Sequence, residues 1–443
     1  MKKLVVAGLF VVLLVVAPWG IGKVAEQRVD QWLDQLVEAA PYLVVVDRTY
    51  TPGWFRSEQD VTFEVLGPFT RALRVTVHNE ILHGPVLWFS AVGVARVNSQ
   101  VVLDPVVRKE VVKLFGAEDP VRVSTRIGFF GGATTTVSGD ARSVHSGNDM
   151  GNLTWDEFEL DISYSKKFDS VDIVGDWPRV EFHDDTTRTQ FLMSDLTIDG
   201  KARRVKGDLY NTDLDFAIDE LRVSGADDAV AEIRDIHYVI DTQDDGDFMS
   251  IATRVGSGKV RGAVLEQKGL TLNAVHYDFT LRRLHTATLA RFMGALKDSY
   301  TQPKTNLAAN SAVLLDPIAE QAFELLKHDP EFVIDRIGIE TPDGAGYLKG
   351  VIRLKGVTEK DLKTGALPLI AKLDVDLRFE APQKMLEKIE GGTSAVTLAV
   401  DGGYAERVGD KLVSHIEFHE GELKINGKVQ GIPGLGAPPA RPE

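Results

Sequence analysis

The sequence has no cysteine and no surplus of basic residues. Without cysteine, the chain cannot form disulfides, thiolate metal sites or a cysteine nucleophile. Its 50 lysines and arginines stand against 65 aspartates and glutamates, giving a formal net charge of −15. Because nucleic-acid binding depends on cationic side chains that neutralise phosphates, this balance disfavours a nucleic-acid partner. The surface is expected to be acidic and well solvated.

An uncharged apolar run follows Lys2 and Lys3 and extends from Leu4 to Ile21. As a helix these 18 residues would rise about 27 Å, close to the thickness of a bilayer's hydrocarbon core. A cleaved signal peptide is the alternative, but its apolar part is usually shorter and ends in a better cleavage site. The run predicts a transmembrane signal-anchor over 1–22, with membrane-anchor residues Leu4, Leu14, Trp19 and Ile21.

The segment 23–41 predicts an amphipathic juxtamembrane helix. Apolar residues recur at helical spacing, and Pro41 marks the end of the pattern. One interpretation is an interaction helix through which the chain self-associates. The other is that the stripe packs on the body of the protein, as such stripes usually do. The candidate interaction residues are Val29, Trp32, Leu33 and Leu36.

Period-two alternation dominates the rest of the chain, as in Leu373–Phe379, where apolar side chains alternate with charged ones. Two segments instead show helical spacing, over Thr286–Tyr300 and Ser311–His328. The predicted fold class is mainly β with a few helices (α+β), in which a single N-terminal transmembrane helix precedes large antiparallel β-sheets that can curve.

The expected domain organisation follows these patterns. After the anchor (1–22) and the juxtamembrane helix (23–41), we expect an N-terminal β-rich region over 42–170 and a central one over 171–285. A C-terminal region over 286–430 is expected to hold two or three helices and strands. The Pro/Gly-rich tail over 431–443 is expected to be disordered.

Residues that carry chemistry are sparse. No G-x-S-x-G, H-E-x-x-H or Walker A motif is present. His78, Glu80 and His83 form the densest acid–base cluster but lack a nucleophile. Asp241–Asp247 resembles half a calcium loop yet fits a polar hairpin better, and His415 and His419 lie too far apart on a strand for one zinc ion. We therefore expect no catalytic residue, no metal and no cofactor.

The order of several motifs resembles the YdgA family of bacterial envelope proteins, a domain family of unknown function. The carrying segments are Tyr50–Ser57, Val77–Pro85, Arg126–Phe129 and Gly421–Lys428. The glycines and proline among them have a structural interpretation as turn residues. The family-motif residues are Gly53, Phe55, His78, Glu80, His83, Gly84, Pro85, Asn426 and Gly427.

This resemblance implies a single-pass protein of the bacterial inner membrane with most of its chain in the periplasm. We expect a non-enzymatic role in maintaining the cell envelope. One hypothesis is that lipid or another hydrophobic ligand binds in a β-sheet groove, and the other is that the apolar sheet faces pack on each other as a filled core. The alternative is a periplasmic protein-interaction or assembly module, whose partner is a second copy of the chain or another envelope protein. A third hypothesis is an enzyme that uses His78, Glu80 or His83.

Overall fold

Antiparallel β-strands make up most of the computed structural model, which confirms the mainly β prediction. The structure describes residues 23–37, 40, 43–65, 73–84, 86–87, 91–103, 105–116, 119–146, 151–225, 230–301, 311–364 and 366–431. The anchor residues Leu4, Leu14, Trp19 and Ile21, together with Pro85 and the predicted tail from 432 onward, lie outside these ranges. No helix within them is long and apolar enough to cross a membrane.

The chain forms two compact units. Unit 1 comprises Met1–Phe182, Thr197–Arg204 and Leu296–Thr305, and unit 2 comprises His183–Leu196, Val205–Ala295 and Asn306–Glu443. The expected three-region division of the chain after residue 41 stays a prediction.

The first part of the chain forms helix α1 over 23–37, followed by the elements up to the β12 strand. They are β1 (Leu43–Thr51), β2 (Arg56–Val65), β3 (Leu73–His83), β4 (Val86–Leu87), β5 (Ala91–Val92), β6 (Ala95–Val102), α2 (Pro105–Phe115), β7 (Arg122–Ile127), β8 (Ala133–Gly139), β9 (Arg142–Ser146), β10 (Gly151–Trp155), β11 (Phe158–Tyr164) and β12 (Ser170–Asp184).

The main sheet of unit 1 pairs its strands antiparallel in the order β1–β2–β3–β6–β7–β8–β11–β12. Residues directly opposite in such a ladder share a face of the sheet. Ile81, Val97 and Ile127 therefore lie on one face, which we call the inner face. All three are at most 2% exposed.

Helix α1 covers one half of this inner face. Its Ala25 and Val29 join the buried cluster of Ile81, Val97 and Ile127. On one flank, Trp32 Nε1 donates a hydrogen bond of 2.9 Å to the Tyr164 hydroxyl.

On the other flank of α1, the Arg48 guanidinium contacts Asp30 and Asp34 at 3.0 and 2.9 Å. Of the four candidate interaction residues, Val29 and Leu33 are buried, and Trp32 and Leu36 are half-buried. The stripe thus packs on the body of the protein. Self-association through these residues of α1 stays a prediction.

Shortening a buried side chain of α1 tests this packing. Leu33 is 3% exposed. Leu33→Ala should lower the unfolding free energy of the protein by about 2–5 kcal/mol, because the change leaves a cavity. Val24→Ala on the same helix, where the side chain is 43% exposed, should change it by less than about 0.5 kcal/mol. Urea unfolding followed by tryptophan fluorescence measures both. Equal effects would show that the stripe does not face a core.

The remaining elements continue from β12. They are β13 (Thr189–Lys206), β14 (Leu209–Ser224), β15 (Val230–Asp244), β16 (Phe248–Ser257), β17 (Val260–Arg261), α3 (Ala263–Gln267), β18 (Ala274–His285), α4 (Thr286–Thr301), α5 (Ser311–Leu326), β19 (Glu331–Thr341), β20 (Gly344–Leu354), α6 (Glu359–Thr364), α7 (Ala366–Ile370), β21 (Leu373–Pro382), α8 (Gln383–Glu387), α9 (Gly392–Asp401), β22 (Glu406–Val408), β23 (Lys411–His419), β24 (Glu422–Ile425) and β25 (Lys428–Gln430).

In unit 2 the sheet pairs its strands antiparallel in the order β14–β15–β16–β18–β19–β20–β21–β23–β24–β25. The strand predicted over Leu373–Phe379 lies in β21, and both predicted helices form as α4 and α5. Leu289 of α4 is buried with Leu284 of β18, and Leu325 of α5 packs against the same cluster. The two helices therefore cover part of this sheet.

Two histidine rings stack beside these helices. His285 and His328 have ring centroids 4.0 Å apart, and His285 Nδ1 lies 2.8 Å from Thr288 Oγ1. Burial, and then the neighbouring His285, hold the pKa of His328 below its ordinary value. Arg291 acts in the same direction, while the charges of Glu324 and Asp329 oppose it.

This lowered pKa predicts a pH-dependent stability. The folded chain binds fewer protons at His328 than the unfolded chain, so the unfolding free energy should fall as the pH drops below about 6.5. His328→Asn should make that fall shallower between about pH 7 and 5, whereas His145→Asn, at an exposed position, should not. Urea midpoints over this pH range measure the slope. An unchanged slope in His328→Asn would contradict the assignment.

Candidate functional site

Beyond α1, the other half of the inner face of unit 1 forms the floor of an apolar groove. Successive strands contribute Val101 from β6, Val123 from β7, Val137 from β8 and Phe158 from β11. The register places these residues farther along the same strands whose opposite ends lie under α1. One sheet face therefore serves both the helix and the groove.

Helix α2 and strand β10 supply the walls of the groove. Val111 and Phe115 lie four apart and so share one side of α2, and both line the groove. Phe115 meets Trp155 of β10 edge-on, with ring centroids 6.0 Å apart. Trp177 of β12 packs against Phe158 of the floor, with ring centroids 4.7 Å apart. The cavity has a volume of about 700 Å³; its remaining lining residues are Ser99, Gln100, Leu103, Asp119, Pro120, Val121, Leu153 and Val180.

A row of polar side chains separates the groove from the core under α1. Ser99 Oγ donates to Asn79 Oδ1 at 2.7 Å, and Asn79 Nδ2 donates to Gln59 Oε1 at 3.3 Å. Gln59 Nε2 in turn donates to Asp30 Oδ1 on α1 at 3.2 Å. Because buried polar groups need such partners, this row fixes α1 laterally and sets the boundary at which the groove begins.

Two family-motif residues, Gly53 and His83, take part in the turn between β1 and β2. Ser57 Oγ accepts the Gly53 N–H at 3.1 Å and lies 3.0 Å from His83 Nε2. His83 Nδ1 lies 3.2 Å from the Trp54 carbonyl oxygen, so the network assigns the proton to Nδ1 and the Ser57 hydroxyl as donor to Nε2. Both side chains are buried, and together they hold the turn between β1 and β2.

The three residues of the acid–base cluster do not converge on one point. His78 and Glu80 lie on the outer face of β3, where His78 Nδ1 is 2.8 Å from Asp60 Oδ1. There Glu80 contacts Arg56 at 2.6 Å. His83 points to the inner face. The arrangement therefore offers no shared acid–base site for these three side chains.

The other singled-out polar residues serve local structure. His415 and His419 lie on β23 and face Asp376 and Asp374 on β21, at 2.9 and 3.7 Å. Asp245 accepts the Phe248 N–H at 2.8 Å in the hairpin that the calcium-like segment forms. Among the residues that the structure describes, no three His, Asp or Glu side chains gather as metal ligands.

Backbone geometry explains why glycine stands at two further family-motif positions, Gly84 and Gly427. A Cβ on Gly84 would lie 1.8 Å from the Gly93 carbonyl oxygen, so two backbone segments meet there. Asn426 and Gly427 both have positive φ, 52° and 74°, in the two-residue turn between β24 and β25. Asn–Gly is the sequence that such a hairpin turn favours. These positions are structural.

Together, these features define a mainly β protein whose unit 1 carries an apolar groove. The chain belongs to the family described as bacterial protein of unknown function (DUF945), whose model matches residues 1–430. No curated protein matches the chain, and no solved structure matches it.

The groove residues were not singled out from the sequence. Their signals are weak but present: Val121 and Val123 stand two apart at the start of β7, and Val111 and Phe115 stand at helical spacing in α2. Trp155 and Trp177 lie in segments with no regular pattern around them. Only the register of the strands brings these residues to one face.

The motif turn yields a test of its own. A Cβ on Gly53 would lie 1.9 Å from the Arg56 carbonyl oxygen, so Gly53→Ala must displace backbone and should lower the unfolding free energy by about 1–3 kcal/mol. Gly294→Ala in α4, where a Cβ meets nothing within 4 Å, should raise it by about 0.5–1 kcal/mol. Urea unfolding measures both; a neutral Gly53→Ala would remove the proposed constraint.

Proposed function

We propose that this protein is a non-enzymatic, membrane-tethered binding protein whose groove in unit 1 holds an elongated apolar ligand, such as the acyl chain of a lipid. The observation that carries this proposal is the cavity of about 700 Å³ whose lining is mostly valine, leucine, phenylalanine and tryptophan. That volume falls within the range of roughly 300–1,000 Å³ typical of small-molecule sites.

The chemistry of the lining favours an acyl chain over a polar ligand. Among the described lining residues Asp119 is the one ionisable group, and Ser99 and Gln100 are the neutral polar ones. Ser99 Oγ already donates to Asn79. Binding of an apolar ligand would be favoured by about 25 cal/mol for each Å² of apolar surface that it removes from water.

The tether is proposed from the sequence. The uncharged run Leu4–Ile21 ends just before the described part of α1 begins, and its length suits a bilayer. Together with membership of a bacterial family, this supports an inner-membrane protein with its two units in the periplasm and a role in the cell envelope. The same proposal includes the resemblance of the chain to the YdgA family of bacterial envelope proteins.

The runner-up is a protein-interaction or assembly module, because the same groove would also accept apolar side chains of another protein. The exposed edge of the groove at Val101 and Val121, 51% and 45% exposed, supports this candidate as well. The occupant found in the groove separates the two functions.

Photo-crosslinking tests the groove directly. The full chain in bacterial membranes is given a photoactivatable long-chain fatty acid, irradiated, and mapped by peptide mass spectrometry. Label should concentrate in β6, β7 and α2. Val101→Asp should reduce this label about tenfold or more, because a carboxylate buried by the ligand costs well over 1.4 kcal/mol.

The matched control is Val174→Asp, because Val174 is similarly exposed, at 55%, but lies on the outer face of β12, opposite Asp161. This variant should keep the labelling of the natural chain. Label spread evenly over both faces, or equal loss in both variants, would contradict the groove. A protein found cross-linked there instead would favour the runner-up.

A further inference from the structure

One end of the unit 1 sheet carries exposed aromatic side chains on two separate turns. The turn between β1 and β2 presents Trp54 and Phe55, each 50% exposed, and the turn between β7 and β8 presents Phe129 and Phe130, 44% and 94% exposed. The register of β2, β3, β6 and β7 aligns these strand ends. The ends of β2 and β7, which flank the two turns, therefore stand roughly 14 Å apart, three strand spacings, at the same end of the sheet.

Both turns are held in fixed shapes. In the first, the Ser57 and His83 side chains bind the backbone of Gly53 and Trp54. In the second, the Gly128 N–H donates to the Gly132 carbonyl at 2.8 Å. These hydrogen-bonded turns thus hold the aromatic side chains exposed on the surface, although exposing such large apolar surfaces to water is unfavourable.

Basic side chains lie at the same end of the sheet. Lys166 and Lys167 are exposed on the connection between β11 and β12, and the aliphatic part of Lys166 lies against Gly131 of the β7–β8 turn. On a chain with a net charge of −15, this local positive charge beside exposed aromatic rings fits an anionic lipid surface.

Helix α1 points its N-terminus at this end. Asp30 of α1 accepts a hydrogen bond of 3.2 Å from Gln59, which stands opposite Tyr50 in the β1–β2 register. One turn later, Asp34 contacts Arg48 at 2.9 Å. Since Tyr50 is closer than Arg48 to the β1–β2 turn, α1 runs away from the aromatic end. The described part of α1 therefore begins nearer the aromatic end than it ends.

We propose that this aromatic end, defined by Trp54, Phe55, Phe129, Phe130, Lys166 and Lys167, docks on the surface of the bilayer. The aromatic rings would enter the headgroup region and the lysines would face anionic headgroups. Unit 1 is then held against the membrane by its own turns as well as by the tether. The inference rests on the proposed tether but not on a ligand in the groove.

Because the chain has no cysteine, a single introduced cysteine can report the depth of one site. Phe130→Cys in the full chain is labelled with an environment-sensitive fluorophore and reconstituted into nanodiscs of phosphatidylethanolamine and phosphatidylglycerol that carry a fraction of brominated lipid. Ala141→Cys is the matched control, since Ala141 is exposed just beyond Gly139 at the opposite end of β8.

The docking surface predicts severalfold stronger quenching by brominated lipid at position 130 than at position 141. It also predicts weaker quenching at 130 when Lys166 and Lys167 are both changed to glutamine, or when phosphatidylglycerol is omitted. Equal quenching at the two positions, in chains that co-purify with the nanodiscs, overturns the docking surface while leaving the tether intact. A chain that does not co-purify with nanodiscs overturns both, whereas fatty-acid labelling of the groove is unaffected by either result.

Discussion

The inner face of the unit 1 sheet is an apolar surface that must be kept from water, and α1 covers only half of it. The free-energy cost of exposing the other half scales with its apolar area. Helix α2 lines the groove over that half without filling it, and a cavity of about 700 Å³ remains. The polar row from Ser99 to Asp30 links α1 to the sheet by hydrogen bonds, and a shift of the helix over the uncovered half would break them. The groove therefore exists because α1 covers only one half of the inner face and α2 does not fill the other half.

The same helix links the groove to the proposed membrane surface. Its N-terminus faces the end of the sheet that carries Trp54 and Phe130, and the groove lies toward the opposite ends of the same strands. An acyl chain moving between bilayer and groove would thus pass along unit 1. Unit 2, whose sheet is partly covered by α4 and α5, contributes no described part of either surface.

Much of the fold could be predicted from periodicity, because half-buried antiparallel strands leave a period-two pattern. Leu373–Phe379 and the helices α4 and α5 formed as expected, and the apolar stripe of α1 signalled a core. The groove could not be predicted in this way. Val101, Val137 and Phe158 come together only through pairings between strands distant in sequence, and period two alone does not say which face stays open. Likewise His78, Glu80 and His83 are close in sequence but point to opposite faces.

The most direct test of this account is hydrogen–deuterium exchange of the full chain in nanodiscs, with and without an added long-chain fatty acid. If the ligand occupies the uncovered half of the inner face, protection should rise in β6, β7, β8 and α2 and stay unchanged in unit 2. Protection that is absent, or that rises equally in both units, would contradict the claim that the shared face of unit 1 is the binding site.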